Sequence, residues 1–425
     1  MREPGVSGSS ECLFPFAGTV SLHDAAGVTT HRAEHVEGSP RGERDRTGAT
    51  GALQAKWKSY GGLLYAGMAL FTSILSIAQT ADVQDKANLL DQARTLLFLG
   101  DSITYDGRYV EYFETSLVLC YPGKVWRVVN AGLPSETVSG LSEPGHANGA
   151  FNRPDLHERL ERVLRRIRPN VVLACYGMND GIYYPYDLER ERRFQEGLQR
   201  LAQSAHRSEA KVVFLTPPVF DSAPIKSRTL PKGRDQYPQP FEGYDEVLNQ
   251  YSRWLLGQQM AGWLVVDVHG PMREALSIRR RADPSFAFAT DGVHPNASGH
   301  WLMARQLMEY FGVCGHTTLT NAETLLELQP NGQQVFRLVQ QRHRILRDAW
   351  LTATGHKRPG IPAGRPLAEA EAEAQRIETA IRQLLRQSGG GANPPSSGVR
   401  DHRNNLPRDN GGMPGDPATR DAPHG

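Results

Sequence analysis

Short apolar runs alternate with amphipathic segments between about residues 90 and 315. The runs TLLFLG, VWRVVNAG, PNVVLACYG, KVVFLTPP and GWLVVDVHG are each predicted to be a buried strand. The segments between them repeat apolar residues at helical spacing, as in LHERLERVLRRIR with Leu156, Leu160, Val163, Leu164 and Ile167. Strands that alternate with amphipathic helices predict an α/β domain over 90–315, with a parallel sheet covered on both faces.

The pattern changes after about residue 330. Two long amphipathic segments, GQQVFRLVQQRHRILRDAWLTATG and PLAEAEAEAQRIETAIRQLLRQ, flank the Pro/Gly-rich turn HKRPGIPAGR. The second segment has a single apolar stripe at three- and four-residue spacing, formed by Leu367, Ala370, Ala374, Ile377, Ile381 and Leu384. We therefore predict a helical hairpin over 330–387, packed on the main domain or on a partner. A disordered low-complexity tail is expected over 388–425.

The first 55 residues carry no apolar periodicity. They mix Gly, Ser, Arg, Glu and His, and we predict that residues 1–55 are disordered. A second interpretation is that translation begins near Leu53 and that these residues are a misassigned extension. N-terminal sequencing of the native protein tests it, because recovery of residues from 1–50 would exclude a start near Leu53.

Residues 56–80 have the features of a secretory signal peptide except for their position in the chain. Lys56 and Lys58 precede an uncharged apolar run, and the tripeptide SIA at 76–78 supplies small residues where a signal peptidase cleaves. The alternative is a membrane anchor through 60–78, because about 18 apolar residues can just span a bilayer. A buried core helix is the third interpretation, and the two lysines that precede the apolar run argue against it. We expect a secreted or periplasmic protein, or one anchored to the membrane by this segment.

Composition restricts the possible partners. The 425 residues are 39% hydrophobic and 22% charged, which is enough for a sizeable core. The 48 Lys and Arg residues nearly balance the 46 Asp and Glu residues, so the charge gives no reason to expect a nucleic-acid partner. The cysteines have no paired metal-ligand spacing and are too few for a disulfide scaffold, although one bridge is possible: Cys12, Cys120, Cys175 and Cys314.

Polar residues of complementary kinds follow the predicted strands. Ser102 follows the first strand, Gly132 the second and Asn179 the third, while Asp291 and His294 lie beyond the last strand and just before a helix. Ligands of parallel α/β sheets bind outside the carboxyl ends of the strands. We therefore expect these five residues to meet at one edge of the sheet.

Each of these residue types suits one task in acyl transfer. The Ser102 hydroxyl is a poor nucleophile unless a base takes its proton, and a histidine does this well near neutral pH. A carboxylate such as Asp291 fixes the imidazole of His294 and stabilises its charged form. The backbone N–H groups of Ser102 and Gly132 and the side-chain amide of Asn179 could stabilise the resulting oxyanion. Each pattern is common alone, and the prediction depends on their occurrence together and in order.

Four blocks of sequence, GDSIT, NAGLPSET, YGMND and DGVHPN, resemble in order the four blocks of the SGNH hydrolases, also called GDSL esterases and lipases. The resemblance covers roughly residues 93–315. It implies a three-layer α/β/α sandwich with a flavodoxin-like parallel sheet of about five strands. The second block departs from the family pattern at Ser135 and Glu136, where a glycine is often found, which leaves the shape of that loop open.

The resemblance also implies a role for each of the five strand-end residues. Ser102 is implied as the nucleophile, His294 as its base and Asp291 as the acid that orients the base. Gly132 and Asn179 are implied as oxyanion donors. A serine hydrolase of this kind requires no metal and no other cofactor.

Three further residues near the blocks have two possible roles each. Asp101 could take part in the chemistry, but we predict that it holds the turn by accepting backbone hydrogen bonds. Tyr183 and Tyr184 follow the third block and could contact substrate, although a packing role fits equally well. The Pro-rich stretch PPVFDSAPIKSRTLPKGRDQYPQPFEGYDE is long enough to form a lid over the same edge.

The leading hypothesis is an exported serine esterase that removes acyl groups, such as acetyl, from a carbohydrate. It depends on the export signal and on the lack of a long apolar acyl-binding stretch. A lipase, lysophospholipase or thioesterase is the first alternative, and a non-catalytic binding module on the same fold is the second. A metal site built on His294 and Asp291 is the third, but no further ligand has useful spacing. The sequence does not indicate an oligomeric state.

Overall fold

The computed structural model describes residues 85–313 and 316–388. These residues all belong to one compact unit. The predictions for 1–55, for the signal or anchor segment 56–80 and for the tail beyond residue 388 fall outside the described residues. Among the helices within the described ranges, none combines the length and the apolar character needed to cross a membrane.

A parallel sheet forms the centre of the described domain. Its strands are β1 Thr95–Gly100, β2 Arg127–Asn130, β3 Val171–Cys175, β4 Lys211–Leu215 and β5 Leu264–Val266. They lie in the order β2-β1-β3-β4-β5, and every neighbouring pair is parallel. The predicted strands and the flavodoxin-like parallel sheet are confirmed. The strand order reverses beside β1, which is where ligands bind in sheets of this topology.

The described helices cover both faces of the sheet. They are α1 Ser102–Asp106, α2 Arg108–Cys120, α3 Leu160–Ile167, α4 Leu188–Arg207, α5 Tyr244–Gly257, α6 His269–Ala282, α7 Ala297–Tyr310, α8 Ala322–Leu326, α9 Gly332–Thr354 and α10 Leu367–Ser388. Helix α2 connects β1 to β2 in one direction, whereas α3, α4 and α5 connect strands in the opposite direction. Right-handed crossovers therefore place α2 on one face and the other three on the opposite face. Helix α7 packs against α2, which completes the three-layer sandwich.

Helix α6 is the one long helix of the described region that the apolar pattern did not predict. Its apolar face is narrow, because only His269, Met272 and Leu276 are buried in its 14 residues. Three arginines occupy its last turn, where they interact favourably with the helix dipole. A helix of this kind is stabilised by few core contacts and has little apolar periodicity to detect.

The sheet is buried along its central strands. Every residue of β1 and of β3 is buried, and burial of each large apolar side chain contributes roughly 1.5–3 kcal/mol. The register pairs Phe98 with Asn130 and Gly100 with Cys175. The carboxyl ends of β2, β1 and β3 therefore lie side by side, and the residues that follow them share one edge.

The predicted C-terminal hairpin packs on the main domain. Helix α9 contacts α2 and the edge strand β2, and α10 packs along α9. The buried apolar face of α10 consists of Ala370, Ala374, Ile377, Ile381 and Leu385. Leu384, predicted to lie in the stripe, is half-buried, and the next residue takes the buried position.

A buried cluster of charges joins the hairpin to α2. Arg342 Nη2 lies 2.7 Å from Glu114 Oε1, and Glu114 also accepts a hydrogen bond from His343. Arg342 binds Glu378 of α10 as well. Burial alone would raise the pKa of Glu114, but Arg342 and His343 lower it below its ordinary value. The charged form of Glu114 therefore suits this interface.

Candidate active site

Ser102 is the first residue of α1 and comes directly after β1 by way of a tight turn. The buried Asp101 caps α1, because its Oδ1 accepts a hydrogen bond from the N–H of Ile103 at 2.9 Å. The turn-holding role predicted for Asp101 is confirmed. A Cβ at Gly100 would lie 2.7 Å from the carbonyl oxygen of Cys175, so only glycine fits there. Burial raises the pKa of Asp101 to about 7.

Ser102, His294 and Asp291 form one hydrogen-bonded chain. Ser102 Oγ lies 2.7 Å from His294 Nε2, and His294 Nδ1 lies 2.6 Å from Asp291 Oδ2. Oδ1 of Asp291 accepts hydrogen bonds from the N–H groups of Val293 and His294 at 2.9 and 2.8 Å. The carboxylate is fixed by its own turn and in turn orients the imidazole. The structure thus brings Ser102 together with a histidine that lies 192 residues later in the sequence and with the aspartate three residues before that histidine.

The charges around His294 favour its protonated form. Burial lowers the pKa of His294, but the hydrogen bond and the charge of Asp291, together with the charges of Asp101 and Asp106, outweigh it and raise that pKa above its ordinary value. Burial alone would raise the pKa of Asp291, yet the contacts of Asp291 with His294 lower that pKa to about 2. The side chains of His294 and Asp291 are 42% and 49% exposed, so a substrate can reach the imidazole from solvent.

The Pro-rich loop after β4 supports the turn that carries Asp291 and His294. The N–H of Asp221 donates to the carbonyl oxygen of Gly292 at 2.8 Å, and the buried Asp221 carboxylate pairs with Arg280 at 2.6 Å. Gly292 has a φ of 82°, and a Cβ there would lie 2.8 Å from the carbonyl oxygen of Asp221. The Pro-rich loop, predicted to lie over the edge of the sheet that carries the site, therefore contacts the turn that holds Asp291 and His294.

Asn179 has its side-chain amide held from both ends. Its Nδ2 donates to the carbonyl oxygen of Glu136 at 3.2 Å, and its Oδ1 accepts from the hydroxyl of Tyr183 at 3.1 Å. An amide nitrogen carries two hydrogens, so one N–H of Asn179 is left for another acceptor. The amide is therefore fixed in position and keeps one unused hydrogen.

Gly132 packs against α1, and its N–H already has an acceptor. That N–H donates to Oδ1 of Asn130 at 2.9 Å, while Nδ2 of Asn130 donates to the carbonyl oxygen of Thr104 at 2.6 Å. A Cβ at position 132 would lie 2.7 Å from the carbonyl carbon of Thr104. The glycine is thus required for packing against α1, a reason that the sequence did not reveal. The N–H of Ser102 takes part in none of the hydrogen bonds of the described residues.

In the second block, NAGLPSET, a residue other than glycine adopts the left-handed backbone conformation. Ser135 has a φ of 69°, a conformation that favours glycine. Glu136 follows it and is fully buried, where Arg159 holds its two carboxylate oxygens at 2.6 and 2.8 Å. The hydroxyl of Tyr176 donates to the same carboxylate at 2.7 Å. These contacts fix the Glu136 carbonyl that orients Asn179, and no local pattern in the sequence pairs residues 136 and 159.

Asp180 ties the third block to the second. Its carboxylate accepts hydrogen bonds from the N–H groups of Val138 at 2.9 Å, Ser139 at 2.8 Å and Gly177 at 2.8 Å. Gly177 has a φ of 128°, which only glycine adopts readily. Burial raises the pKa of Asp180 to about 6. The residue beside Asn179 therefore serves to hold the loop.

Of the two tyrosines predicted near the site, Tyr183 contacts a site residue. Its hydroxyl binds Asn179, and the guanidinium carbon of Arg153 lies 5.3 Å from its ring centroid. Tyr183 and the preceding Ile182 both have left-handed backbone, with φ of 60° and 49°. Such strain in non-glycine residues is concentrated at functional sites. Tyr184 instead packs on Tyr237, with ring centroids 5.1 Å apart.

The metal alternative has no further ligand in the described region. Among those residues, no group of three or more His, Cys, Asp or Glu side chains is arranged to hold a metal ion. His294 instead binds Asp291 through Nδ1 and Ser102 through Nε2.

Comparison with known proteins finds similarity over the α/β domain. A model of the GDSL-like lipase/acylhydrolase family matches residues 98–302. An acetylxylan esterase of Geobacillus stearothermophilus is 26% identical over 234 residues, which is 51% of this chain and 93% of the relative.

Solved structures give the same kind of match. A crystal structure of Axe2, an acetylxylan esterase from Geobacillus stearothermophilus, is 25% identical and covers 52% of this chain and 94% of its own, with a TM-score of 0.38. BT4096, a gut microbial diltiazem-metabolizing enzyme, is 23% identical with a TM-score of 0.40. The match covers 52% of this chain and about half of that protein, 47%.

Proposed function

Because the α/β domain of this chain belongs to the SGNH, or GDSL-like, family of hydrolases and is a carboxylic ester hydrolase, we propose that it removes acetyl groups from a carbohydrate, with Ser102, His294 and Asp291 as a catalytic triad. The observation that carries this proposal is the hydrogen-bonded chain from Ser102 Oγ through the imidazole to the carboxylate, at 2.7 and 2.6 Å. Such a chain is the arrangement that activates a serine hydroxyl.

In the first half of the reaction, Ser102 Oγ attacks the acyl carbonyl carbon while His294 Nε2 takes the hydroxyl proton. Asp291 stabilises the imidazolium that forms and keeps Nδ1 protonated. Collapse of the tetrahedral intermediate breaks the ester C–O bond, and the sugar alkoxide leaves with the proton from Nε2. The product is an acetylated Ser102 and a free sugar hydroxyl.

In the second half, water replaces the sugar. His294 takes a proton from water, and the resulting hydroxide attacks the acetyl carbonyl. The intermediate releases acetate, and Nε2 returns the proton to Ser102 Oγ. His294 thus acts as a base and then as an acid in each half.

Three donors are proposed for the oxyanion: the N–H of Ser102, the free N–H of Asn179 and the N–H of Gly132. Asn179 is supported best, because hydrogen bonds to Glu136 and Tyr183 fix its amide and leave one hydrogen unused. The N–H of Gly132 would have to be shared with Asn130, which already accepts it at 2.9 Å. We therefore assign most of the stabilisation to Asn179 and Ser102.

The carbohydrate assignment is supported by the relative and by the exposure of the site. The 26% identical relative is named an acetylxylan esterase, and the match covers 93% of it. The triad histidine and aspartate are nearly half exposed, which suits an acetyl group carried on a bulky sugar chain. A lipase, lysophospholipase or thioesterase remains the second candidate within the same chemistry.

Two assays separate these functions. Acetate release is measured from a panel of acetylated glycans, with Ser102→Ala as the inactive control, and nitrophenyl esters of increasing acyl length are compared. We expect acetate release from at least one glycan and the highest kcat/KM with the acetyl ester. A rise of kcat/KM towards long acyl chains, with no acetate released from any glycan, would contradict the carbohydrate proposal.

Replacing Asn179 with alanine is expected to lower kcat by about 10²–10³, because one oxyanion donor is lost. KM should change little, since the donor acts on charge that develops in the transition state. The control is Asn249→Ala on α5, whose amide binds only surface carboxylate oxygens of Glu246. A loss of less than threefold in kcat for Asn179→Ala would remove this residue from the oxyanion assignment.

The pH dependence of kcat/KM should show an acidic limb with its midpoint above 6.5, the ordinary histidine pKa, because the pKa of His294 is raised. Below that midpoint the imidazole is protonated and cannot accept the serine proton. Asp291→Asn removes the main charge that raises this pKa, so the midpoint should move to lower pH while the plateau rate falls.

The pH control is Asp101→Asn, because burial raises the pKa of Asp101 itself to about 7. If the limb vanished in Asp101→Asn and kept its midpoint in Asp291→Asn, it would report Asp101. The assignment of the limb to His294 would then be wrong.

We also propose that the protein is exported, by cleavage of the signal-like segment 56–80 or with an anchor through 60–78. Cys120 is disulfide-bonded, and disulfides persist in oxidising compartments outside the cytosol. N-terminal sequencing of protein recovered from the producing cells tests this proposal. A first residue just beyond Ala78 supports cleavage, whereas intact protein confined to the cytosol would contradict export.

A further inference from the structure

The C-terminal hairpin touches the helix that begins with Ser102. The guanidinium carbon of Arg347 lies 3.9 Å from the ring centroid of Tyr105, which is in α1. Arg347 Nη1 donates to the carbonyl oxygen of Tyr105 at 3.0 Å, and Arg347 Nε pairs with Asp348 at 2.8 Å. Helix α9 therefore borders the edge of the sheet that carries the triad.

The turn that follows α9 holds an arginine with no acidic partner. The guanidinium carbon of Arg358 lies 4.8 Å from the ring centroid of Phe151, which is half-buried. Its Nη1 donates to the carbonyl oxygen of Pro359. Its Nε is buried and has no hydrogen-bond partner in the part of the chain that the structure describes. The carbonyl oxygen of Pro359 is therefore the one acceptor that this guanidinium binds among the described residues.

Other cations near this turn do have acidic partners. Lys357 Nζ lies 3.8 Å from Glu158, and Arg365 Nη1 lies 2.9 Å from Glu373. No carboxylate of the described residues lies within ion-pair distance of Arg358. The side chain thus offers a guanidinium, already positioned on an aromatic ring, to an anion from outside the chain.

A continuous set of contacts leads from Arg358 towards Asn179. Phe151 packs against His146, with ring centroids 5.2 Å apart, and His146 binds Glu143 at 3.0 Å. Glu143 is also held by both guanidinium branches of Arg153 at 2.6 and 2.7 Å. Arg153 lies over Tyr183, whose hydroxyl binds the Asn179 amide. The loop that carries Phe151 is therefore linked to the proposed oxyanion donor, Asn179, by an unbroken series of side-chain contacts.

From these contacts we propose that Arg358 and Phe151 form a subsite for a carboxylate-bearing sugar unit near the acetylated unit of the substrate. A guanidinium binds a carboxylate through two parallel hydrogen bonds, and the two terminal nitrogens of Arg358 supply this pair, since only one hydrogen of Nη1 is used by Pro359. The half-buried ring of Phe151 carries the guanidinium and adds apolar surface beside the bound sugar. The inference rests on the proposed deacetylation, and it gives the hairpin a role in choosing the substrate.

The test compares two acetylated oligosaccharides of equal length, one neutral and one with a uronic-acid unit. The wild-type protein should show a kcat/KM about tenfold or more higher for the acidic substrate, which is the effect expected of a charge-assisted pair. Arg358→Ala should bring this ratio close to one, and Arg358→Lys should restore part of it. Arg365→Ala, an arginine of the same connecting segment that is paired with Glu373, should keep the wild-type ratio.

Inhibition of nitrophenyl acetate hydrolysis by the same two oligosaccharides without acetyl groups gives an independent measurement. The acidic oligosaccharide should inhibit the wild-type protein at a lower concentration than the neutral one, and Arg358→Ala should remove the difference. Equal inhibition of the wild-type protein by both would overturn the subsite. If neither acetylated oligosaccharide released acetate while the difference in inhibition remained, the deacetylation would be wrong and the carboxylate subsite would stand.

Discussion

Ser102→Ala will lower kcat for nitrophenyl acetate hydrolysis by about 10⁴-fold or more, because the proposed acyl-enzyme forms on the Ser102 hydroxyl. The expectation rests on the 2.7 Å contact of Ser102 Oγ with His294 Nε2. The fold should be unaffected, since the side chain is half-buried and its one hydrogen bond is to His294. The measurement is steady-state hydrolysis together with a thermal unfolding curve.

Ser285→Ala is the matched control for Ser102→Ala, because the Ser285 hydroxyl is exposed and binds only Asp283. It should keep wild-type kcat and KM. Retention of more than about one tenth of wild-type activity by Ser102→Ala would require a different nucleophile.

His294→Ala will cause a loss of about 10⁴-fold or more in kcat, because Ser102 then has no base and the leaving alkoxide has no proton donor. Asp291 cannot replace it, since its carboxylate reaches Ser102 only through the imidazole. The double variant Ser102→Ala/His294→Ala should be no slower than Ser102→Ala alone, because residues of a triad act as one unit. Steady-state rates of the three variants measure this coupling.

His206→Ala is the control for the histidine, because His206 is exposed in the last turn of α4. It should behave as the wild type. If His294→Ala kept activity within tenfold of the wild type, or if the double variant lost a further factor of a thousand, the two residues would be acting independently.

Much of the sheet could be predicted from the sequence because its strands are buried on both faces. Runs such as Leu96–Leu99 are apolar throughout, and this pattern has few other interpretations. Helix α6 could not be predicted in the same way, because it buries only Met272, Leu276 and His269. Apolar periodicity reveals a helix in the sequence only where the helix buries a wide apolar face.

The sequence placed Ser102 at the end of a strand and placed Asp291 and His294 just before a helix, and the fold brings these two segments together at one edge of the sheet. It did not indicate what holds them. The pair formed by Glu136 and Arg159 joins residues 23 apart along the chain, and such a partner leaves no local pattern. The hydrogen bond from the Gly132 N–H to Asn130 could not be predicted either. The sequence Asn-Ala-Gly is compatible both with a turn that uses this N–H and with a turn that leaves it free.

The C-terminal hairpin could likewise be predicted only in part. Its apolar stripe predicted a packed helix but left open whether the main domain or a partner would cover it. The contact of Arg342 with Glu114, 228 residues away, decided in favour of the main domain. The half-buried Leu384 and the buried Leu385 show that a stripe drawn at fixed spacing drifts by one residue over a long helix.

The central claim is that the Ser102 hydroxyl is an activated nucleophile, and covalent labelling tests it most directly. The intact protein is treated with a nitrophenyl alkylphosphonate, and the modified residue is located by peptide mass spectrometry. We predict one adduct per chain on Ser102, no adduct in Ser102→Ala, and slow labelling in His294→Ala. An adduct that forms at the wild-type rate in Ser102→Ala, or that lies on another residue of the wild-type protein, would contradict the claim.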